Sequence, residues 1–150
     1  MEKKMRIMVV DDEERFLVST KKLLEKKGCT VETAAGGAEA LDKLIMVQPH
    51  VIILDVKMPG MDGIETLKEI KARFPLIEVI MLTGHGTVES AVTGLKSGAF
   101  DYLIKPIDVD DLLGKAEEAY LKRRQTEEKI RVAQSRTLTA SAQDILRDTR

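Results

Sequence analysis

Short apolar runs alternate with amphipathic segments over most of the chain. Runs such as VIIL do not alternate apolar with polar residues, which is typical of parallel strands covered by helices on both faces. The segments between the runs place apolar residues at helical spacing, as with Phe16, Leu17, Leu23 and Leu24. Strands are therefore predicted at residues 6–10, 30–34, 51–54, 78–82 and 101–104.

Capping and stop residues indicate where the predicted helices begin and end. The third helix is predicted to begin at Asp62, an N-cap residue followed three positions later by Glu65. The fifth is predicted to begin at Asp108, whose side chain can cap it. The fourth is predicted to end near Gly98 and contains four apolar residues at helical spacing: Val88, Ala91, Val92 and Leu95.

The order of these elements predicts the topology. Strands alternate with helices, and right-handed crossovers assemble such a chain into a doubly wound parallel sheet. The predicted fold is α/β, a (βα)5 unit with a five-stranded parallel sheet in the flavodoxin-like order 2-1-3-4-5. Ligands of such folds bind at the carboxyl edge of the strands.

The pattern changes after Tyr120. Residues 122–129 contain no apolar residue, so the fifth helix is expected to continue but to leave the core there. Residues 121–150 hold 8 Lys/Arg and 4 Asp/Glu, net +4, whereas residues 1–120 hold 16 and 21, net −5. Mixed charges without aromatic residues favour a solvated helix over direct nucleic-acid binding. We predict a domain at 1–120 and a partly flexible helical linker or tail at 121–150, which could support a homodimer.

Composition excludes some classes of protein. The chain has 150 residues, 43% hydrophobic and 33% charged, as expected of one globular domain with an appendage. No apolar run approaches the ~20 residues that span a bilayer, so no membrane segment is predicted. The single cysteine, Cys29, cannot form an internal disulfide, which favours a cytoplasmic location.

Residues with complementary chemistry follow four of the predicted strands. Asp11 and Asp12 follow the first strand, Asp55 the third, Thr83 the fourth and Lys105 the fifth. All would meet at the ligand-binding edge of the sheet. Clustered carboxylates recruit a hard cation such as Mg²⁺, and a phosphoryl group could be received by the lysine and the hydroxyl. Asp55 could itself be the nucleophile, because carboxylates form aspartyl-phosphates.

Several motifs resemble the response-regulator receiver domain of two-component signalling. They are Asp11-Asp12 after VV, Asp55 followed by MPGMDG, Thr83-Gly84, and Tyr102 with Lys105-Pro106. The segments TGHG and GAFDYLIKP are similar to receivers of nitrogen-regulation-type transcription activators. The resemblance implies a switch that takes a phosphoryl group from a histidine kinase and rearranges its α4-β5-α5 surface to regulate an effector or transcription.

The resemblance also implies a role for individual residues. Asp55 would be the phosphoacceptor, Lys105 the phosphate-binding lysine, and Thr83 with Tyr102 the switch pair. The Mg²⁺ ligands would be Asp11, Asp12, Asp55 and the backbone carbonyl of Lys57. The Lys105-Pro106 bond is expected to be cis. Apart from catalysing its own phosphorylation and dephosphorylation, such a domain is not an enzyme.

Two other functional classes are disfavoured by the residues present. A Mg²⁺-dependent aspartyl-phosphate phosphatase is disfavoured because Lys57 stands where a second acid is expected. A phosphorylation-independent pseudo-receiver is disfavoured because the whole residue set is present. Of the two histidines, His50 is predicted to be a surface loop residue. His85, together with Lys57, could tune access of water to the acyl phosphate.

Overall fold

The computed structural model describes residues 4–148, with side chains for residues 4–146. One parallel sheet has the strand order β2-β1-β3-β4-β5, which confirms the predicted α/β class and topology. The strands are β1 (Arg6–Val10), β2 (Thr30–Ala34), β3 (Val51–Leu54), β4 (Glu78–Thr83) and β5 (Asp101–Ile104). Their bounds agree with the predicted ones, except that β4 continues to Thr83.

Helices cover both faces of the sheet. They are α1 (Glu14–Lys26), α2 (Gly37–Met46), α3 (Gly63–Arg73), α4 (Val88–Lys96) and α5 (Val109–Asp148). The predicted caps are present: the Asp62 carboxylate accepts a hydrogen bond from the Glu65 amide at 2.9 Å, and the Asp108 carboxylate accepts one from the Asp110 amide at 3.1 Å. These caps use donors at helix N-termini that have no partner within the helix.

Two hydrophobic cores lie on opposite faces of the sheet. Alternate residues of β3 divide between them: Ile52 and Leu54 face one core, while Val51 and Ile53 face the other. All four side chains are at most 1% exposed, and burying each is worth about 1.5–3 kcal/mol. The VIIL run is thus the central, doubly covered strand from which Asp55 extends.

Helix α4 packs differently from the pattern of its apolar residues. Val88 is 83% exposed, and Val92 and Leu95 are also exposed. Its buried residue is Gly94, at which a side chain would meet Met81 and Tyr102. The apolar stripe of α4 therefore faces outward, although helical spacing alone would have suited a core-facing stripe.

Helix α5 continues past Tyr120 without a break, as predicted, and contacts the amino-terminal edge of the sheet. The Arg123 guanidinium donates to the Pro49 carbonyl at 2.8 Å, and the Tyr120 ring meets the His50 ring edge-on with centroids 4.8 Å apart. We call Pro49, His50, Tyr120 and Arg123 the basal clasp. Within the described part of the chain, no helix is long and apolar enough to cross a membrane.

The prediction of a surface position for His50 is wrong. The side chain is 8% exposed, and its Nδ1 accepts a hydrogen bond from the Arg6 amide at 2.9 Å. Its own amide and carbonyl bond to Arg6 and Glu78, extending the ladders between the central strands. Burial follows because α5 returns over this edge and covers it with Tyr120.

Candidate functional site

The first and third strands bring their carboxylates together at the carboxyl edge of the sheet. The Asp11 amide donates to the Ala34 carbonyl at 3.1 Å, and the Asp55 amide donates to the Val10 carbonyl at 3.0 Å. These bonds continue the sheet ladder past the strands and hold both residues rigidly. Carboxylate oxygens of Asp11, Asp12 and Asp55 lie within 4.8 Å of one another, so the acidic pocket could bind a metal ion.

The pocket holds its acids in different environments. Asp11 is 1% and Asp55 is 3% exposed, whereas Asp12 faces solvent. Burial raises the pKa of Asp55; the Thr83 hydroxyl and the charge of Lys105 oppose that rise, while the charge of Asp11 adds to it. Within residues 4–148, the buried Oδ1 of Asp55 has no hydrogen-bond partner. An unsatisfied buried carboxylate oxygen is costly and suits a site that receives a ligand.

Lys105 reaches into the pocket from the end of β5. Its ammonium donates to Oδ2 of Asp11 at 2.6 Å, and Oε1 of Glu13 lies 3.7 Å from it. The Lys105-Pro106 peptide bond is cis, as predicted. A largely buried ammonium beside buried carboxylates is placed to receive the charge of a phosphoryl group.

Thr83 lies beside Asp55, whereas Tyr102 lies beside α4, and their hydroxyls bond to different partners. Oγ1 of the buried Thr83 accepts a hydrogen bond from the His85 amide at 3.1 Å. The hydroxyl of the half-buried Tyr102 is hydrogen-bonded to Oγ of Ser90 at 2.7 Å. Ser90 also forms a capping box with Thr87 at the start of α4. The two predicted switch residues are thus joined to the loop and the first turn of α4.

The loop after Asp55 forms one wall of an open groove of about 620 Å³. Asp12, Asp55, Lys57 and His85 are among the residues that line it. Gly63 closes the loop: its amide donates to the Val56 carbonyl at 2.7 Å, and a Cβ there would collide with the Asp55 carbonyl. Lys57 is exposed at the mouth of the groove. A small phosphodonor could approach Asp55 through this opening.

Sequence reasoning missed two residues at the site. Helical spacing predicts Phe16 on the apolar face of α1, where it does pack against the core, but does not predict that its ring centroid lies 4.0 Å from Nζ of Lys105. The available signal was its place in the first turn of a helix that starts at the tip of β1. Ser90, the partner of Tyr102, could have been found from its spacing to Thr87, three residues apart at a helix start.

Comparisons with known proteins agree with this geometry. Residues 7–117 match the family described as "Response regulator receiver domain". The chain is 41% identical over 113 residues to the DNA-binding transcriptional regulator NtrC of Escherichia coli K12, covering 75% of this chain and 24% of the relative. It is 44% identical over 113 residues to the Escherichia coli K12 transcriptional regulatory protein ZraR, covering 75% and 26%. The chain thus spans about a quarter of the length of these curated relatives.

A solved structure is similar over nearly its full length. The CheY-like receiver domain protein of Methanospirillum hungatei superimposes with a TM-score of 0.79 at 35% identity, covering 83% of this chain and 99% of that one. The predicted resemblance is confirmed, including the likeness to nitrogen-regulation-type regulators. By family match, fold and the acidic pocket at the strand tips, the chain belongs to the response regulator receiver domains of two-component systems.

Proposed function

We propose that this chain is a phosphoacceptor switch and that Asp55 is the residue phosphorylated. The observation that carries the proposal is the buried carboxylate of Asp55, whose Oδ1 lacks a hydrogen-bond partner within the described residues. It lies at the end of a rigid strand beside Asp11 and within the field of Lys105. A nucleophilic oxygen held without a donor needs no bond broken before it reacts.

The residues of the pocket fit Mg²⁺. Carboxylate and carbonyl oxygens are the ligands this ion prefers. The carboxylate of Asp55 can give one oxygen to the ion while the other reacts. We propose that Asp11, Asp12, Asp55 and the backbone carbonyl of Lys57 hold it. Bound there, the ion would supply positive charge against the negative oxygens of a phosphoryl group.

The transfer itself exchanges one covalent bond for another. The P–N bond of a donor phosphohistidine breaks, its electron pair remains on the imidazole, and a P–O bond forms to Asp55. The Lys105 ammonium and the Thr83 hydroxyl would stabilise the charge of the transferred group. Hydrolysis then breaks the same P–O bond with one water and restores the carboxylate. We propose no turnover of an external substrate beyond phosphodonors.

The output would be a changed surface near α4 and β5. Once Asp55 carries phosphate, the Thr83 hydroxyl has a stronger acceptor than in the unmodified protein, and its movement would free space for Tyr102. The Tyr102 ring would then leave Ser90, its partner at 2.7 Å. Val88 and Ile104, 83% and 53% exposed, belong to the α4-β5-α5 surface that would be remodelled.

We infer the partners from the family match. We propose a histidine kinase as donor and an effector or output domain as target, because the similar NtrC and ZraR are named as transcriptional regulators. Residues 1–120 would form the receiver and 121–150 a linker that supports a homodimer and binds no nucleic acid directly. We place the protein in the cytoplasm, consistent with its one cysteine, a buried free thiol.

Incubation with Mg²⁺ and acetyl phosphate tests the proposal. We expect a labile phosphoryl adduct, as for any acyl phosphate, that maps to Asp55 by peptide mass spectrometry. Asp55→Asn should abolish it, whereas Asp42→Asn, at an exposed acid of α2, should not. Undiminished labelling of the Asp55→Asn protein would refute the assignment.

A further inference from the structure

Three groups surround the ammonium of Lys105. Oδ2 of Asp11 lies 2.6 Å from Nζ, Oε1 of Glu13 lies 3.7 Å away, and the Phe16 ring centroid lies 4.0 Å away. The Lys105 side chain is 16% exposed, so little water replaces these contacts. The position of the ammonium therefore depends on what each of the three contributes.

The carboxylates of Asp11 and Glu13 cannot by themselves hold the Lys105 ammonium in place during the proposed reaction. Asp11 belongs to the acidic pocket that could bind a metal ion, and a divalent cation on its oxygens would compete directly with the lysine. The Glu13 side chain is 64% exposed, and an ion pair at such a site is screened by water. The Phe16 ring has no lone pairs for a hard metal ion and is not drawn into that competition.

We infer that Phe16 is a positioning residue for phosphoryl transfer. Its ring keeps the Lys105 ammonium at the pocket when a metal ion binds Asp11 in place of the lysine. The inference rests on the proposed function, in which Lys105 receives the charge of the phosphoryl group. A ring face attracts an ammonium through its quadrupole, most strongly where water is excluded. It also leaves the N–H groups that do not face the ring available to oxygen acceptors.

The fold holds the ring in place for this purpose. Phe16 is half-buried in the first turn of α1, and Leu17 and Thr20 of the same helix are buried. It packs against the same core as Leu103 and Ile107, which flank Lys105 in the sequence. Ring and ammonium are thus carried by elements that are packed together.

Nuclear magnetic resonance tests the contact without any phosphodonor. A ring face at this distance should shift the Lys105 side-chain methylene protons next to Nζ upfield, and the shift should persist at saturating Mg²⁺. Phe16→Leu should remove the shift and Phe16→Tyr should keep it. Loss of the shift in the unmodified protein when Mg²⁺ is added would overturn the inference, since the ring would then not hold the ammonium.

Kinetics tests the consequence. With acetyl phosphate and saturating Mg²⁺, Phe16→Leu should slow labelling of Asp55 about 2- to 30-fold, while Phe16→Tyr should stay within about twofold. Phe74→Leu is the matched control: Phe74 is also half-buried but packs against the opposite core. An unchanged rate in Phe16→Leu, with the unmodified protein labelled normally, would overturn this inference alone. An unmodified protein that is never labelled at Asp55 would instead refute the proposed function.

Discussion

The buried imidazole of His50 should make the protein less stable in mild acid. Burial is the largest cause that lowers the pKa of His50 from 6.5 to about 4, and the nearby charges of Arg6 and Arg123 contribute to the same shift. A protonated Nδ1 could no longer accept the hydrogen bond from the Arg6 amide. The folded protein therefore favours the neutral ring. Four charged side chains act on the ring: Arg6, Arg123, Arg124 and Glu127.

The size and direction of the effect follow from proton linkage. In the unfolded chain His50 binds a proton below about pH 6.5, whereas in the folded protein it remains neutral until about pH 4. Between these values the unfolded state binds more protons, so the free energy of unfolding falls as the pH falls. The full shift corresponds to about 3 kcal/mol, of which about 2 kcal/mol is lost by pH 5.

Urea unfolding followed by circular dichroism, at intervals from about pH 7.5 to about pH 4.5, would measure the loss. His50→Asn is the matched variant because an amide oxygen can replace Nδ1 as acceptor but does not titrate. The carboxylates titrate in both proteins and cancel in the difference. We expect the stability advantage of the unmodified protein over the His50→Asn variant to be constant above about pH 7 and to shrink by about 2 kcal/mol at pH 5. A difference that does not change with pH would refute the reasoning.

The functional site offers three further tests. Gly63→Ala should lower the free energy of unfolding by about 1–3 kcal/mol because the new methyl collides with the Asp55 carbonyl. The control is Gly36→Ala, whose new methyl meets no atom within 4 Å. An equal loss of stability in both variants would contradict the geometry. Ser90→Ala should release the Tyr102 hydroxyl from α4 and so change the nuclear magnetic resonance signals of the Tyr102 ring without any phosphodonor. Unaltered signals would show that the hydrogen bond to Ser90 does not hold the ring. Asp55→Asn should raise the melting temperature in Mg²⁺-free buffer at neutral pH, because the raised pKa of Asp55 marks its ionised form as disfavoured. Mg²⁺ should then stabilise the unmodified protein more than this variant, and equal stabilisation of both would argue against Asp55 as a ligand.

The strands and the pocket could be predicted because both depend on local pattern and parallel topology. A short run such as VIIL, followed by a loop with proline and glycines, favours a strand covered on both faces. β3 has the predicted bounds Val51–Leu54. Once the sheet is parallel, residues that follow its strands must meet at one edge, which is why Asp11 and Asp55 could be paired from sequence. The predicted roles of the site residues stay predictions.

Contacts between distant segments could not be predicted in the same way. The burial of His50 depends on Tyr120 returning over the far edge of the sheet, and nothing near residue 50 signals it. The ring of Phe16 and the ammonium of Lys105 meet because β1 and β5 bring α1 and the last strand tip together. The outward apolar face of α4 has the same helical spacing as a core-facing one, so periodicity does not separate them.

The basal clasp gives α5 the mechanics of a lever. Beyond Tyr120 the helix continues to Asp148, a distance of about 42 Å at about 1.5 Å per residue. The Arg123 bond to the Pro49 carbonyl lies close to the point where the helix leaves the sheet and acts as its fulcrum. A tilt of about 5° there would displace the far end by roughly 4 Å, whereas the core beside the fulcrum would hardly move. Small repacking beside Arg123 would thus become a displacement of several ångströms at the far end of the helix.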